Sequence, residues 1–386
     1  MPRAKRFICF LLSFAILIPL FAIPASAEPI LSAASAILLD AKSGNVLFAK
    51  DADTERPMAS TTKIMTALVA LSLAESGRRI RVPAEAVEIE GSSAYLKEGE
   101  VFTLEELLYA LLLQSANDAA SAIALSLSGS VEAFVEQMNQ TADALGLAHT
   151  HFETPSGLDG KTHYTTARDL SLLTKAALEH PLLAKIVATR TYAIPATETR
   201  AARSFVNHNK LLFRYDGCVG VKTGFTKKSG RCLVSAAERD GVLLIAVTLD
   251  DPDDWEDHAA LFDYGFSLLQ AKTICHAGEV LCDLPLVGGV EETVTLVPES
   301  DLTLTLPKEA QIKLVFDLPP FAYAPLNLGE RVGDLLVYII LRGEEPALCA
   351  RVALLSQEDC PSAKKPSFWW RFLAKIQTLW RKEETT

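Results

Sequence analysis

Three short motifs, met in a fixed order and separated by whole elements, constrain this chain more than anything else in it. They are Ser60-Thr61-Thr62-Lys63, Ser115-Ala116-Asn117 and Lys222-Thr223-Gly224. A hydroxyl is a poor nucleophile at neutral pH unless a neighbour takes its proton. Residues three apart on a helix share a face, so Lys63 is expected beside Ser60. Lysine acts as a base only when neutral, which requires burial or a second cation nearby, and Lys222 can be that cation. Ser115 and Asn117 supply a proton carrier and an amide. The constellation describes acyl transfer through a covalent serine ester.

Taken singly the motifs mean little, because Ser, Asn and Lys populate turns and solvated helices for local reasons. Jointly and in this order they match the Ser-x-x-Lys, Ser-Asp-Asn and Lys-Thr-Gly signature, with Ala116 at the middle position of the second motif. With the flanking runs Pro57–Thr66, Leu112–Ala119, Pro155–Asp159, His163–Asp169 and Val221–Thr226, the chain resembles the low-molecular-mass penicillin-binding proteins. These act as D-alanyl-D-alanine carboxypeptidases, and the resemblance runs from about Ala36 into the C-terminal part. It implies an α/β fold of the penicillin-binding/β-lactamase-like type, an antiparallel sheet flanked by helices, with a small all-β domain behind it.

Residue by residue, the resemblance implies that Ser60 attacks the penultimate D-alanine carbonyl and Lys63 accepts its proton. Ser115 would relay a proton to the leaving nitrogen, Asn117 would hold Lys63 and the peptide carbonyl, and Lys222 would supply positive charge. The N–H groups of Ser60 and Phe225, beside Gly224, would form the oxyanion hole, and Thr223 and Thr226 would offer hydroxyls to the substrate carboxylate. No metal or cofactor is implied; His149 and His151 lack a third ligand. The partners implied are a peptidoglycan stem peptide ending in D-Ala-D-Ala and, as covalent inhibitors, β-lactams. Two positions depart from the family pattern. Phe225 stands where some relatives have histidine. Asp250-Asp251-Pro252-Asp253-Asp254-Trp255 occupies the region where some place a carboxylate-binding arginine.

Other readings stay open at this point: a D,D-endopeptidase or a β-lactamase on the same scaffold, or a wall-binding module without catalysis. The β-lactamase reading lacks its deacylating Glu-x-x-Leu-Asn loop, since Glu153-Thr154-Pro155-Ser156-Gly157-Leu158-Asp159 stands there.

The 386 residues are enough for two or three domains. Arg3, Lys5 and Arg6 precede an apolar run from Phe7 to Ile23 and the small-residue site Ala25-Ser26-Ala27. That predicts a signal peptide over 1–27 and export to the outer face of the cytoplasmic membrane, the cell wall space or the periplasm. The intact chain carries 37 basic and 48 acidic residues, and cleavage leaves 34 against 48, a net charge of −14. With no basic stripe, nucleic-acid binding is disfavoured. Six cysteines remain after cleavage, which permits three bridges or six free thiols.

Periodicity predicts a hairpin of Ala36–Leu39 and Val46–Phe48 and a helix from Thr61 to Ala74 with Ser60 at its start. A helical block over 104–145 carries Ser115 and Asn117 on a turn. Thr166 caps a helix to Leu178. Strands Val219–Thr223, Arg231–Ala237 and Val242–Leu249 then lead to a helix over Glu256–Leu269. The catalytic domain is thus expected over 28–272. Short alternating strands over 273–360 predict a separate all-β domain, most simply a spacer. Residues 361–386 read as a linker and an amphipathic helix. Phe368, Trp369, Phe372, Leu373, Ile376, Leu379 and Trp380 fill one arc, opposite Arg371, Lys375 and Lys382, which predicts a contact with the membrane surface through 366–382.

Overall fold

The computed structural model describes residues 27–363. The expected signal peptide, apart from Ala27, and the expected amphipathic tail helix lie outside the described residues.

Five strands form the central antiparallel sheet: β1 (Ser35–Asp40), β2 (Val46–Lys50), β3 (Cys218–Thr226), β4 (Gly230–Arg239) and β5 (Val242–Leu249). Their order is β2-β1-β5-β4-β3, so the strand carrying Lys222 lies at one edge. Helices cover both faces, and the pleat sorts the side chains between them. Ile37, Leu39, Cys232, Val234, Ala236, Ile245 and Val247 join one apolar cluster with the helical block. Their neighbours Ala36, Leu38, Leu233, Ala237, Leu244 and Ala246 join another with Leu261 and Phe262. A period of two with both faces buried explains why these strands read as continuous apolar runs rather than as alternating ones.

The helices that position the site are α1 (Lys63–Leu73), α2 (Leu104–Leu113), α3 (Asn117–Ser128), α4 (Ala167–Leu178) and α5 (Asp254–Leu268). Thr103 caps α2 in a reciprocal capping box with Glu106, and the Thr166 hydroxyl accepts from Asp169 N at 3.0 Å to start α4. One expectation shifts. Ser60 lies in a 3-10 turn, Ala59–Thr62, that precedes α1, rather than in the α-helix itself.

The second unit is all β. Strands Gln311–Asp317, Arg331–Ile340, Ala347–Ser356, Thr293–Pro298, Cys282–Val287 and Ala322–Tyr323 follow one another in a six-stranded sheet. Leu269–Cys275 pairs with Leu302–Pro307 in a second layer, so the β region begins at Leu269, a few residues before Lys272. Leu296, Leu335, Val337 and Leu354 are among the residues that fill its own core. All six cysteines among the described residues are free thiols. In the β3–β4 register Cys218 faces Ala237 and Cys232 faces Gly224, which keeps that pair apart.

Candidate active site

The site is assembled where the 3-10 turn, the turn into α3, the loop around Ser156 and the edge strand β3 meet. The turn that presents Ser60 is locked by its own threonines. Thr61 Oγ1 donates to Met58 O at 2.6 Å and Thr62 Oγ1 to Ala59 O at 2.7 Å. Ala59 has a left-handed φ of 47°, and Ser115 one of 60°. Both are non-glycine residues held in a costly conformation at the chemistry, where the surroundings over-determine the backbone.

Lys63 is fully buried. Its Nζ lies 2.8 Å from Ser60 Oγ and 2.7 Å from Asn117 Oδ1, and it also donates to Ser156 O. Burial pushes its pKa well below the usual 10.5, the Lys222 charge pushes it further, and only Asp118 opposes. A neutral amine has two hydrogens and one lone pair. With the hydrogens given to Asn117 and Ser156, the lone pair is left for the Ser60 hydroxyl, which is the geometry of a general base.

Each partner is itself held. Asn117 Nδ2 donates to Glu90 O at 2.6 Å, which fixes the amide with its oxygen toward Lys63. The Asp118 carboxylate accepts from Ala94 N, Leu96 N and the Ser93 hydroxyl, pinning the loop over the site. Ser156 O reaches Lys63 because Gly157 turns with φ 84°; a Cβ there would stand 2.0 Å from Ala59 O. Gly224 is similarly constrained, its missing Cβ lying 3.1 Å from Met58 O and from Ser60 N. His163 is buried, and its Nδ1 accepts from Glu153 N, so Nε2 carries the hydrogen offered to Thr62 Oγ1 at 2.8 Å. Burial lowers its pKa to about 4, keeping the ring neutral.

Lys222 is 1% exposed and donates to Thr223 O at 2.8 Å. Burial lowers it to about 7. Burial acts on both amines, and Lys63 is pushed down further by the Lys222 charge, so Lys63 is the better placed of the two to act as a neutral base.

A cleft of about 310 Å³ opens beside these groups, lined by Ser60, Ser115, Thr223, Gly224 and Phe225 among others. Lys63, Asn117 and Lys222, all buried, lie behind its wall. The structure thus gathers Ser60, Lys63, Ser115, Asn117, Lys222, Thr223, Gly224 and Phe225 at or beside the cleft. Thr226 follows Phe225 on the same strand, and its hydroxyl donates to Asp159 Oδ1 and exchanges with Ser229 Oγ, each at 3.0 Å. The cleft also holds residues that sequence reasoning missed: Ser92, His208, Lys210, Arg231, Asp254 and Trp255. For Arg231 a signal was available, since closing the hairpin at 227–229 places it opposite Phe225.

Residues 23–253 match the family described as D-alanyl-D-alanine carboxypeptidase. The chain belongs to that family. Residues 269–361 match a second description, the penicillin-binding protein 5 C-terminal domain. Among relatives, D-alanyl-D-alanine carboxypeptidase DacB2 of Mycobacterium tuberculosis is 36% identical over 240 residues, 60% of this chain and 81% of the relative. DacF of Bacillus subtilis is 29% identical over 317 residues, 79% of this chain and 81% of the relative. Penicillin binding protein 5 from Haemophilus influenzae aligns in structure with a TM-score of 0.65 at 27% identity, covering 87% of this chain and 99% of that one. The chain is a D-Ala-D-Ala carboxypeptidase of this serine peptidase family, with the family's α/β unit and all-β C-terminal domain.

Proposed function

We propose that Ser60 is the nucleophile of this carboxypeptidase and that its substrate is the D-Ala-D-Ala end of peptidoglycan stem peptides. Ser60 Oγ attacks the carbonyl carbon of the penultimate D-alanine while its proton passes to the Lys63 lone pair. The N–H groups of Ser60 and Phe225 stabilise the oxyanion, at about 3–4 kcal/mol for each donor. Ser115 relays the proton to the leaving D-alanine nitrogen, the C–N bond breaks and free D-alanine departs. Water then adds to the ester carbonyl as Lys63 takes its proton, and Ser60 leaves with a proton restored to its oxygen. The observation that carries this reading is the buried Lys63, whose other two hydrogen-bond partners leave its lone pair facing Ser60 Oγ at 2.8 Å.

A β-lactam would acylate Ser60 in the same way and then persist. The one acidic residue lining the cleft is Asp254, already paired with Arg231, while the Glu153 carboxylate accepts from Thr162. A free carboxylate to activate water is missing from that lining, which favours a carboxypeptidase over a β-lactamase. Fluorescent penicillin should label wild type stably and leave Ser60→Ala unlabelled; rapid turnover of the label would instead favour the β-lactamase. D-Alanine release from an acyl-D-Ala-D-Ala peptide completes the assignment.

The reading extends to the whole chain: a leader over 1–27, a catalytic unit over 28–272, a β spacer over 273–360 and a linker with a membrane-surface helix over 361–386. Its support is the leader composition and the aromatic and basic tail. Removing 368–386 should move active enzyme from the membrane fraction to the soluble one. Unchanged sedimentation with membranes would defeat the anchor.

A further inference from the structure

The reaction just derived uses no guanidinium, yet one stands in the cleft. Arg231 is near the start of β4 and is the direct cross-strand partner of Phe225, so both side chains leave the same face of the hairpin. It is held rigidly. Nη2 donates to both carboxylate oxygens of Asp254, at 2.6 and 2.9 Å, and the guanidinium lies 5.5 Å from the Trp255 ring centroid. Both hydrogen bonds leave from Nη2. Nε is buried without a partner, and the side chain is 41% exposed against 4% for Asp254. Nη1 makes no hydrogen bond among the described residues, so that end of the cation is open to a cleft it shares with Thr223. A guanidinium held in place this way suits a carboxylate, because it stays charged and offers a donor whose direction is fixed in advance.

The other candidates for that task are weaker. Thr226 is engaged with Asp159 and Ser229. His208 is driven toward its neutral form by burial and by Lys222. Lys210 lines the cleft as an exposed ammonium on a long stem, a point charge rather than a planar donor.

We propose that Arg231, set in place by Asp254 and Trp255, reads the free carboxylate next to the leaving amine and so decides which peptides this enzyme cuts. Resting on the function proposed above, this predicts the substrate class. Accepted leaving groups carry the amine α to a free carboxylate: a terminal D-amino acid, or a cross-link whose amine sits on such a carbon. Amide-capped ends and cross-links made through a plain side-chain amine are rejected. Asp254 is a positioning residue, acting through Arg231.

The experiment compares kcat/KM for an acyl-D-Ala-D-Ala peptide and for its C-terminal amide, in wild type, Arg231→Gln, Arg231→Lys, Asp254→Asn and Lys210→Gln. Wild type should prefer the acid, and Arg231→Gln should shrink the acid-to-amide ratio by about 10- to 100-fold, the span of hydrogen bonds to a charged group. Arg231→Lys should restore part of the ratio, and Asp254→Asn should raise KM for the acid more than it lowers kcat. Equal loss on acid and amide would show a merely structural arginine and overturn the proposal. So would an intact ratio in Arg231→Gln, or a ratio that collapses in Lys210→Gln instead. A wild type that releases no D-alanine and takes no penicillin label overturns the parent reading along with this one.

Discussion

The two units of this protein spend their polar groups differently. The α/β unit buries Lys63, Lys222, Asn117, Asp118, Ser115, His163 and His258, and it contains every non-glycine residue with a positive φ among those described, from Asp51 to Asp250. From Leu269 to Ala363 the buried polar residues are Asp334 and Ser356, and the core is mostly Leu and Val, with Cys275, Ala322 and Cys360. Desolvated charge and a twisted backbone are costly, so their concentration in one unit marks where selection favoured chemistry over stability. The β unit has the opposite character.

Four measurements would break or sharpen this contrast. The largest effect is expected from Lys63→Met, which should slow penicillin acylation by a factor on the order of 10⁴ and leave melting of the β unit in place. A variant acylated within tenfold of wild type would remove Lys63 from the base role. The mirror experiment is Leu354→Ala, deep in the β core. It should destabilise that unit by about 2–5 kcal/mol while acylation proceeds at the wild-type rate. Coupled loss of activity would show that the two units are not separable.

A smaller effect concerns acid stability. Burial lowers His258 to about 3, between the Ser235 and Thr248 hydroxyls. Between pH 6.5 and 3 the unfolded chain therefore binds more protons at this site, so stability falls as pH drops through that window. His163 acts in the same direction, and Asp251, raised by burial to about 6, acts in the other. His258→Gln should flatten the melting curve against pH by about 2 kcal/mol between pH 6.5 and 5; an unchanged slope would acquit the histidine. The smallest is a pH profile of kcat/KM. Acylation should fall toward acid as Lys63 gains a proton, and toward alkali as Lys222 loses one, near 7 in the free enzyme. Each limb changes the rate about tenfold per pH unit, and a profile flat above pH 7 would show that the Lys222 charge is not needed.

Much of this was legible in the residues. Ser60, Lys63, Ser115, Asn117 and Lys222 could be picked out as one group from three ordered motifs, and the fold places Lys63 against Ser60 and Asn117; β1, β2, α2 and α4 followed from turn and cap chemistry. What stayed hidden depends on the third dimension. Ser156 acts through a backbone oxygen that no side chain advertises. Arg231 acquires its meaning from a cross-strand partner and from a tryptophan and an aspartate more than twenty residues later. The contacts of the Thr226 hydroxyl with Asp159 and Ser229 likewise come from the fold rather than from the motif. The six cysteines count as three potential bridges, but their placement leaves six thiols.

The three contacts of Lys63 have a consequence for the newly made chain. The amine meets Ser60 within its own turn, but Asn117 and the Ser156 carbonyl lie 54 and 93 residues further on. Until both have docked, the amine stays hydrated and protonated, and the neighbouring alcohol is inert. With Ser60 and Lys63 in the roles proposed above, a half-made or still-unfolded polypeptide carries no reactive serine, and the enzyme switches itself on by completing its tertiary structure.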